Sequence, residues 1–370
     1  MLTAPNPHVV VPSLRHLLVV GPHAGAHRVA LRLAVSALIP LLVLWRLGRV
    51  DLAPYAFLPT TVAVFGRHAT SRGRLVMQTQ VGGVMVALVL AGAVASSAGV
   101  PAWAIVGLTG MVAAGCSIAA DMLKWTPVGS LFFVFAFVVS ASSPVERPEL
   151  PVIVGITIAA GVLTALVTAT GLLPVPRSRR SRRSVPGAPA TVPRRDVVVA
   201  HGIASFVAIV AAGTITLAQG SQHPYWAMVS AIVPIAGVTT VGQLTRAAHR
   251  IIGTVLGLAA TAMVLAVATT PLALVIALVL CIMATELLVA RNYALAMLFI
   301  TPATIGMIAL NNPQPLAPLL AARVAETCIG VAVAFVVIVA THAVRHPVPR
   351  DDESFRHPLV HNQSTTPLES

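Results

Sequence analysis

The sequence predicts an all-α polytopic membrane protein with about twelve transmembrane helices arranged as two six-helix repeats. Only 9% of the 370 residues are charged, 57% are hydrophobic, and the mean hydropathy is +0.89. The apolar residues lie in long runs that contain almost no charge, and such runs suit a bilayer rather than a soluble core. In addition, short segments of the first half recur in the second half at nearly constant spacing.

Twelve apolar spans can be drawn along the chain. They cover residues 29–45, 53–66, 76–96, 101–119, 126–141, 152–173, 197–218, 224–241, 251–268, 271–289, 293–310 and 320–342. Several are shorter than the roughly 20 residues that an upright transmembrane helix needs. Pro59 and Pro234 interrupt two of the short spans, at matching places in the two halves. Broken helices at matching places indicate a substrate path.

The positive charges predict the orientation of these spans. If the N-terminus is cytoplasmic, the inner segments hold 19 of the 24 Lys and Arg residues, and the outer loops hold three. This asymmetry predicts a multi-pass protein of the plasma (inner) membrane with both termini in the cytoplasm. It also accounts for the net charge of +13 without nucleic-acid binding. The first 27 residues lack the apolar core of a cleaved signal peptide.

A basic segment rich in Arg, Ser and Pro divides the chain. Residues 177–195 are predicted to form a cytoplasmic linker, and contact with anionic lipid headgroups is a further role open to it. The linker separates a first six-helix membrane unit, 1–176, from a second, 196–342. Residues 343–370 are predicted to be a disordered cytoplasmic tail, because they are polar and contain proline.

The two halves share sequence elements. CSIAAD at 116–121 corresponds to CIMATE at 281–286. The cysteine and the acid of the first segment each lie 165 residues before their counterparts in the second. A finer repeat lies inside the second half, where YWAMVSAIVP (225–234) resembles YALAMLFITP (293–302). An odd number of helices between these copies predicts inverted three-helix sub-repeats. Chance similarity among apolar segments is the alternative.

Each copy of the finer repeat is followed by the pattern R-x3-T-x2-G. The pattern consists of Arg250, Thr254 and Gly257 in the first case and Arg323, Thr327 and Gly330 in the second. Arginine and threonine at i and i+4 share a helix face, which suits a planar carboxylate. The glycines, with Gly253, are expected to let a neighbouring helix approach closely.

Each arginine has a second interpretation. Arg250 is either a substrate ligand or an anchor at the inner end of its helix. Arg323 lies several residues into a span, where a charge marks either a pathway or a structural pair, here with Glu326. Arg32 lies deep enough in the first span to face a cavity and is a further candidate for substrate binding.

Other candidates are aromatic or acidic. Tyr225, Trp226 and Tyr293 could stack on an aromatic substrate, although aromatic residues also collect at membrane interfaces. Asp121 and Glu286 occupy matching places in the two halves and could couple export to proton entry. Both could instead be solvated loop acids beside Lys124 or Arg291.

The sequence lacks the motifs of an enzyme. It contains no G-x4-G-K-[ST] phosphate loop, no H-E-x-x-H and no G-x-S-x-G, so ATP-driven transport and membrane hydrolysis are not indicated. Three cysteines each lie alone in an apolar run. We therefore predict no catalytic residues, no cofactor and no metal.

The second half resembles the fusaric acid resistance protein-like superfamily of integral membrane transporters. The resemblance is carried by YWAMVSAIVP, LTRAAHRIIGTVLG, RNYALAMLFITP and RVAETCIG, and it is best over 197–342. The superfamily includes aromatic acid exporters and plant aluminium-activated malate transporters. The resemblance implies secondary export of organic anions, often aromatic carboxylates, through two six-helix units. The sequence departs from many bacterial relatives because it lacks a large cytoplasmic domain and has Thr79 or Gln80 in the place of Arg250 in the first half.

The leading hypothesis is a secondary transporter that exports organic anions, with aromatic carboxylic acids as the expected substrates. The alternatives are a passive anion channel and a non-transporting membrane scaffold. The expected partners are small organic anions and membrane lipids, with no nucleic acid, and a homo-oligomer is compatible with this hypothesis.

Overall fold

The computed structural model describes residues 17–22, 25–67, 69–169, 194–237, 239–311 and 314–345. Within these ranges every regular element is a helix. The α-helices are α1 (Ala26–Arg46), α2 (Ala53–Phe57), α3 (Ser71–Ser97), α4 (Ala102–Met122), α5 (Leu131–Ser142), α6 (Leu150–Ala169), α7 (Arg195–Ala218), α8 (Tyr225–Ile235), α9 (Thr240–Val267), α10 (Pro271–Leu288), α11 (Tyr293–Asn311) and α12 (Leu316–Arg345). The 3₁₀ segments Val50–Leu52 and Leu58–Val64 extend α2 on both sides, and Arg147–Glu149 precedes α6. Most of the predicted linker and tail lies outside the described residues.

The all-helical fold is confirmed, but the number of membrane crossings is not. Each predicted span overlaps one helix, yet only nine helices in the described part of the chain are long and apolar enough to cross a membrane. The other three are Val50–Val64, α5 and α8. Helices of 11 to 15 residues extend about 17–25 Å, against about 30 Å of hydrocarbon. Twelve crossings therefore stay a prediction.

The three short helices lie inside the bundle. Every residue of α8 is buried, and no residue of Val50–Val64 is exposed. Most of the exposed large apolar side chains belong to the long helices, for example Leu31 on α1, Met263 on α9 and Val336 on α12. A helix shielded from lipid does not need to match the thickness of the bilayer, because protein groups can cover its ends.

The third helix of each half begins with the same cap. The Thr70 hydroxyl accepts a hydrogen bond from the Gly73 N–H (3.2 Å), and the Thr239 hydroxyl accepts one from the Gly242 N–H (3.1 Å). Such caps satisfy N–H groups that the first helical turn leaves free. α9 therefore begins at Thr240, earlier than the predicted span at 251, because its first ten residues are too polar to be recognised by hydropathy.

The two halves have the same pattern of helix packing. In the first half α3 packs on α5 and α6, and α2 packs on α6; in the second half α9 packs on α11 and α12, and α8 packs on α12. The halves meet where α1 packs on α10 and where α4 packs on α7. In both contacts the first helix of one half lies against the fourth helix of the other. This is the packing expected of two equivalent six-helix units.

The three packing glycines lie at close helix contacts. A Cβ on Gly253 would overlap the Cβ of Met297, and one on Gly257 would lie 2.6 Å from Thr301 Oγ1, both on α11. A Cβ on Gly330 of α12 would overlap a backbone carbonyl of α8. The predicted inverted sub-repeat relates α8 to α11 and α9 to α12. It therefore also relates the close contact α9–α11 to the close contact α12–α8.

Loops assigned to the same membrane face contact one another. At the predicted inner face, the Gly66 N–H donates to the Thr126 carbonyl (2.9 Å). At the predicted outer face, Arg49 Nη2 lies 2.8 Å from Glu149 Oε1. The first contact joins the second and fourth loops of the first half, and the second contact joins its first and fifth loops. Loops that are predicted to share a membrane face therefore lie close together.

Candidate functional site

A cavity of about 430 Å³ lies between the two halves. Most of its wall is formed by the second and fifth helices of both halves. These are α5, α8, α11 and the continuous stretch Val50–Val64 around α2, which we call the α2 segment. Six of the predicted site residues line it: Arg250, Arg323, Tyr225, Trp226, Tyr293 and Glu286. A largely apolar cavity with a few convergent polar groups is typical of a small-molecule site.

Arg323 of α12 is buried without an ionic partner. It is 1% exposed, and its Cζ lies 5.0 Å from the centroid of the Trp226 ring. Its Nε has no hydrogen-bond partner, and the ion pairs found among the described residues do not include it. A cation–π contact offsets only part of the cost of burying a charge. The position therefore favours a bound anion.

Glu326 does not form the structural pair with Arg323 that the sequence suggested. Its Oε1 accepts a short hydrogen bond from the Ser221 hydroxyl, and its Oε2 has no partner. The Ser221 hydroxyl in turn accepts the His223 N–H at 3.0 Å. Burial lowers the pKa of His223, which stacks on Trp226 at 4.7 Å, so the neutral imidazole is favoured. The carboxylate thus holds the loop before α8, and it interacts with the guanidinium electrostatically without forming a salt bridge.

Arg250 of α9 is buried inside the helix bundle. It is 2% exposed; its Nη1 donates to the Tyr293 hydroxyl at 2.8 Å, and its Nε donates to Ser230 Oγ at 3.3 Å. Its Nη2 has no partner. Two hydrogen bonds therefore fix the guanidinium in place, and one nitrogen remains available to a ligand.

Thr254 and Thr327 are buried but do not line the cavity. Each is 1% exposed, and neither hydroxyl has a hydrogen-bond partner. Each lies one helical turn after its arginine, as the sequence pattern required. These hydroxyls therefore do not reach the cavity, and their predicted role in holding a carboxylate stays a prediction.

The first half contributes a mainly apolar wall. Phe57, in the α2 segment, and Phe132 and Phe135 of α5 face the cavity. Gln80 of α3, one of the two residues that the repeat places opposite Arg250, accepts a hydrogen bond from the Trp125 indole at 3.1 Å and lies outside the cavity lining. Sequence reasoning missed the two α5 phenylalanines, and the aromatic run LFFVFAF was the signal for them.

The two acids at matching positions each join the two halves. Asp121 Oδ2 of α4 lies 2.7 Å from His201 Nδ1 of α7, and Glu286 Oε2 of α10 accepts from Arg67 Nη2 at 2.9 Å. Neither acid pairs with the loop cation that the sequence suggested. Glu286 lines the central cavity, whereas Asp121 lines a second pocket between α4 and α7. The sequence held no signal for the two partners, because they are distant along the chain.

Arg32 of α1 lies away from Arg250 and Arg323. It is half-buried, and its electrostatic neighbours are Arg28, Arg67 and Arg74. It does not line the central cavity. The structure therefore divides the predicted arginines into two groups.

Comparison with known proteins gives one family match. Residues 203–337 match the family described as Fusaric acid resistance protein-like. No curated protein matches the chain, and no solved structure matches it. The match and the nine long apolar helices in the described part of the chain support a multi-pass membrane protein. The resemblance read from the residues is confirmed: residues 203–337, which carry both buried arginines, match the fusaric acid resistance protein-like family.

Proposed function

We propose that the protein is a secondary transporter that exports organic anions, with aromatic carboxylates as its substrate class. The observation that carries this proposal is the composition of the central cavity. Two buried guanidinium groups lie on the wall from the second half, and phenylalanine rings lie on the wall from the first half. An aromatic carboxylate has the same division, with an anionic group at one end and an apolar ring at the other.

The two arginines supply the anion-binding groups. Arg323 Nε and Arg250 Nη2 have N–H groups without partners, and a guanidinium donates well to carboxylate oxygens. The two cations also interact electrostatically with each other. A carboxylate between them relieves that repulsion, and it does so most strongly where water is excluded. Trp226 and Tyr293 keep the two guanidinium groups in position.

The proposal includes an orientation. We infer a location in the plasma membrane with both termini in the cytoplasm, and six-helix units over 1–176 and 196–342. The support is the excess of Lys and Arg in alternate loops, which favours retention of those loops on the cytoplasmic side.

Flux measurements in vesicles test the function. The purified full chain is reconstituted in phosphatidylcholine vesicles, and flux of labelled 4-hydroxybenzoate is followed with and without an imposed proton gradient. We expect the protein to add flux above protein-free vesicles and the gradient to accelerate it. Flux that ignores the gradient and appears as single-channel current would identify a channel. An absence of protein-dependent flux would overturn the proposal.

The aromatic wall predicts substrate selectivity. Phe135→Leu keeps an apolar side chain of similar size but removes the ring. Contacts between aromatic rings contribute about 0.5–1.5 kcal/mol beyond buried area, so preference for 4-hydroxybenzoate over hexanoate should fall about two- to tenfold. Competition between the two acids for transport measures this ratio. Phe206→Leu, on the partly exposed surface of α7, is the control, and an unchanged ratio in Phe135→Leu would contradict the aromatic contact.

Glu286 is the better proton-coupling candidate, because it lines the cavity. We expect Glu286→Gln to retain 4-hydroxybenzoate binding within about twofold but to remove acceleration of flux by the proton gradient, since an amide does not titrate. Asp121→Asn removes the equivalent acid away from the cavity and should retain the acceleration. Gradient-dependent flux in Glu286→Gln would exclude this role for Glu286.

A further inference from the structure

A group of arginines lies where α1, α3 and the turn after the α2 segment meet. Arg32 of α1 has Arg28, Arg67 and Arg74 as its electrostatic neighbours. Among the ion pairs in the described residues, one involves this group, and it joins Arg67 to Glu286. Four guanidinium groups are thus accompanied by one carboxylate. Such an arrangement is repulsive unless an anion shares the site.

Three of these guanidinium groups have buried N–H groups without partners. Arg32 Nε, Arg67 Nη1 and Arg74 Nε are all inaccessible to solvent and make no hydrogen bond. Buried donors are almost always satisfied in folded proteins, and leaving a charged donor unpaired is costly. Three free donors in one group therefore point to a ligand that accepts hydrogen bonds from all of them.

The backbone around the group holds two of these side chains in place. Gly66 has a φ of +73° and packs so closely on Arg74 that a Cβ would lie 2.9 Å from its Cγ. Gln78, one turn further along α3, donates to the Phe65 carbonyl at 2.8 Å. The turn that carries Arg67 is thereby fixed to the helix that carries Arg74. A preorganised site of this kind loses little entropy when a ligand binds.

We propose that Arg32, Arg67 and Arg74 form an oxyanion site, separate from the central cavity, that binds a carboxylate or a phosphate. Guanidinium groups recognise both ions through paired N–H donors, and several oxygen acceptors are needed to satisfy three arginines. The oxyanion can come from a soluble anion or from the headgroup of an anionic lipid. This site does not depend on the transport proposal, because binding is measurable without flux.

Calorimetric titration tests the soluble source. The full chain in phosphatidylcholine nanodiscs is titrated with inorganic phosphate at constant ionic strength. We expect saturable binding that Arg32→Gln and Arg74→Gln each weaken about tenfold, the usual consequence of losing one hydrogen bond between charged groups. Arg72→Gln is the matched control, since it removes the same charge from an exposed position on α3, and it should bind within about twofold of the wild type.

A lipid arm tests the other source. Replacing part of the phosphatidylcholine with phosphatidylglycerol should raise the unfolding temperature of the wild type and of Arg72→Gln, but not of Arg74→Gln, if the headgroup occupies the site. Binding of phosphate or a selective effect of phosphatidylglycerol supports the oxyanion site and identifies its source. If neither occurs, or if Arg72→Gln behaves like Arg74→Gln, the proposal is wrong.

Discussion

Arg323→Gln is expected to lower the efflux of 4-hydroxybenzoate about tenfold to a hundredfold. Hydrogen bonds to charged groups contribute about 1.5–3 kcal/mol, and glutamine cannot replace the charge that the carboxylate meets. Arg323 is 1% exposed and has no salt-bridge partner among the described residues. Because the side chain is buried, water does not screen its charge, and the loss of that charge should have a large effect. Initial flux in vesicles, normalised to the amount of inserted protein, measures the loss.

Two further variants make the Arg323 result specific. Arg147→Gln removes the same charge from an exposed position at the predicted outer face and should leave flux unchanged. Arg323→Lys keeps the charge but loses the planar fork, so its flux should fall between the two. Wild-type flux in Arg323→Gln would rule out an anion-binding role for this arginine. A loss of inserted protein would instead indicate that its contact with Trp226 is structural.

Gly330→Ala is expected to be strongly destabilising. The added methyl group would overlap the carbonyl oxygen of Ala227 and would lie 2.7 Å from the Cβ of Ser230. These atoms belong to α8, whose residues are all buried, so the helix has no free direction in which to move. Overpacking of this kind costs about 1–3 kcal/mol, and a backbone clash lies at the upper end of that range. The temperature of unfolding in detergent should therefore fall.

The matched control is Gly107→Ala on α4. Gly107 also lies within a helix, but a Cβ there meets no atom within 4 Å. Alanine is the better helix former by about 0.5–1 kcal/mol, so this variant should equal or exceed the wild type in stability. If Gly330→Ala were as stable as Gly107→Ala, the close contact between α8 and α12 would be refuted. Flux should also fall in Gly330→Ala, since α8 carries Tyr225 and Trp226.

Much of the helical fold could be predicted, because hydropathy reports directly on apolar helices. Each predicted span overlaps a helix, and the errors lie at ends such as Thr240, where a capped and polar turn precedes the apolar part. The number of crossings could not be predicted. Hydropathy does not distinguish a helix that faces lipid from one, such as α8, that is surrounded by protein.

The site was predictable where the chemistry lies in one helix and unpredictable where it depends on packing between helices. Arg323 stood out because a charge within an apolar run is costly, and Arg250 stood out because it shares the pattern R-x3-T-x2-G with Arg323. The sequence could not show which residues the two acids contact. Glu326 accepts a hydrogen bond from Ser221 and forms none with the arginine three residues away, and Glu286 pairs with Arg67, which is 219 residues distant. Tertiary packing alone sets those pairs.

Because the short helices are buried, the residues on them that face the cavity can change during evolution and alter which substrates are bound. A residue that faces lipid must stay apolar for the chain to insert, whereas Phe135 on α5 and Val229 on α8 face the cavity and are free of that constraint. Substitutions there can change which acid is bound while the nine long helices continue to direct insertion. Part of the substrate preference is therefore encoded in helices that need not cross the membrane, and substitutions in that part can change binding without changing the long apolar helices.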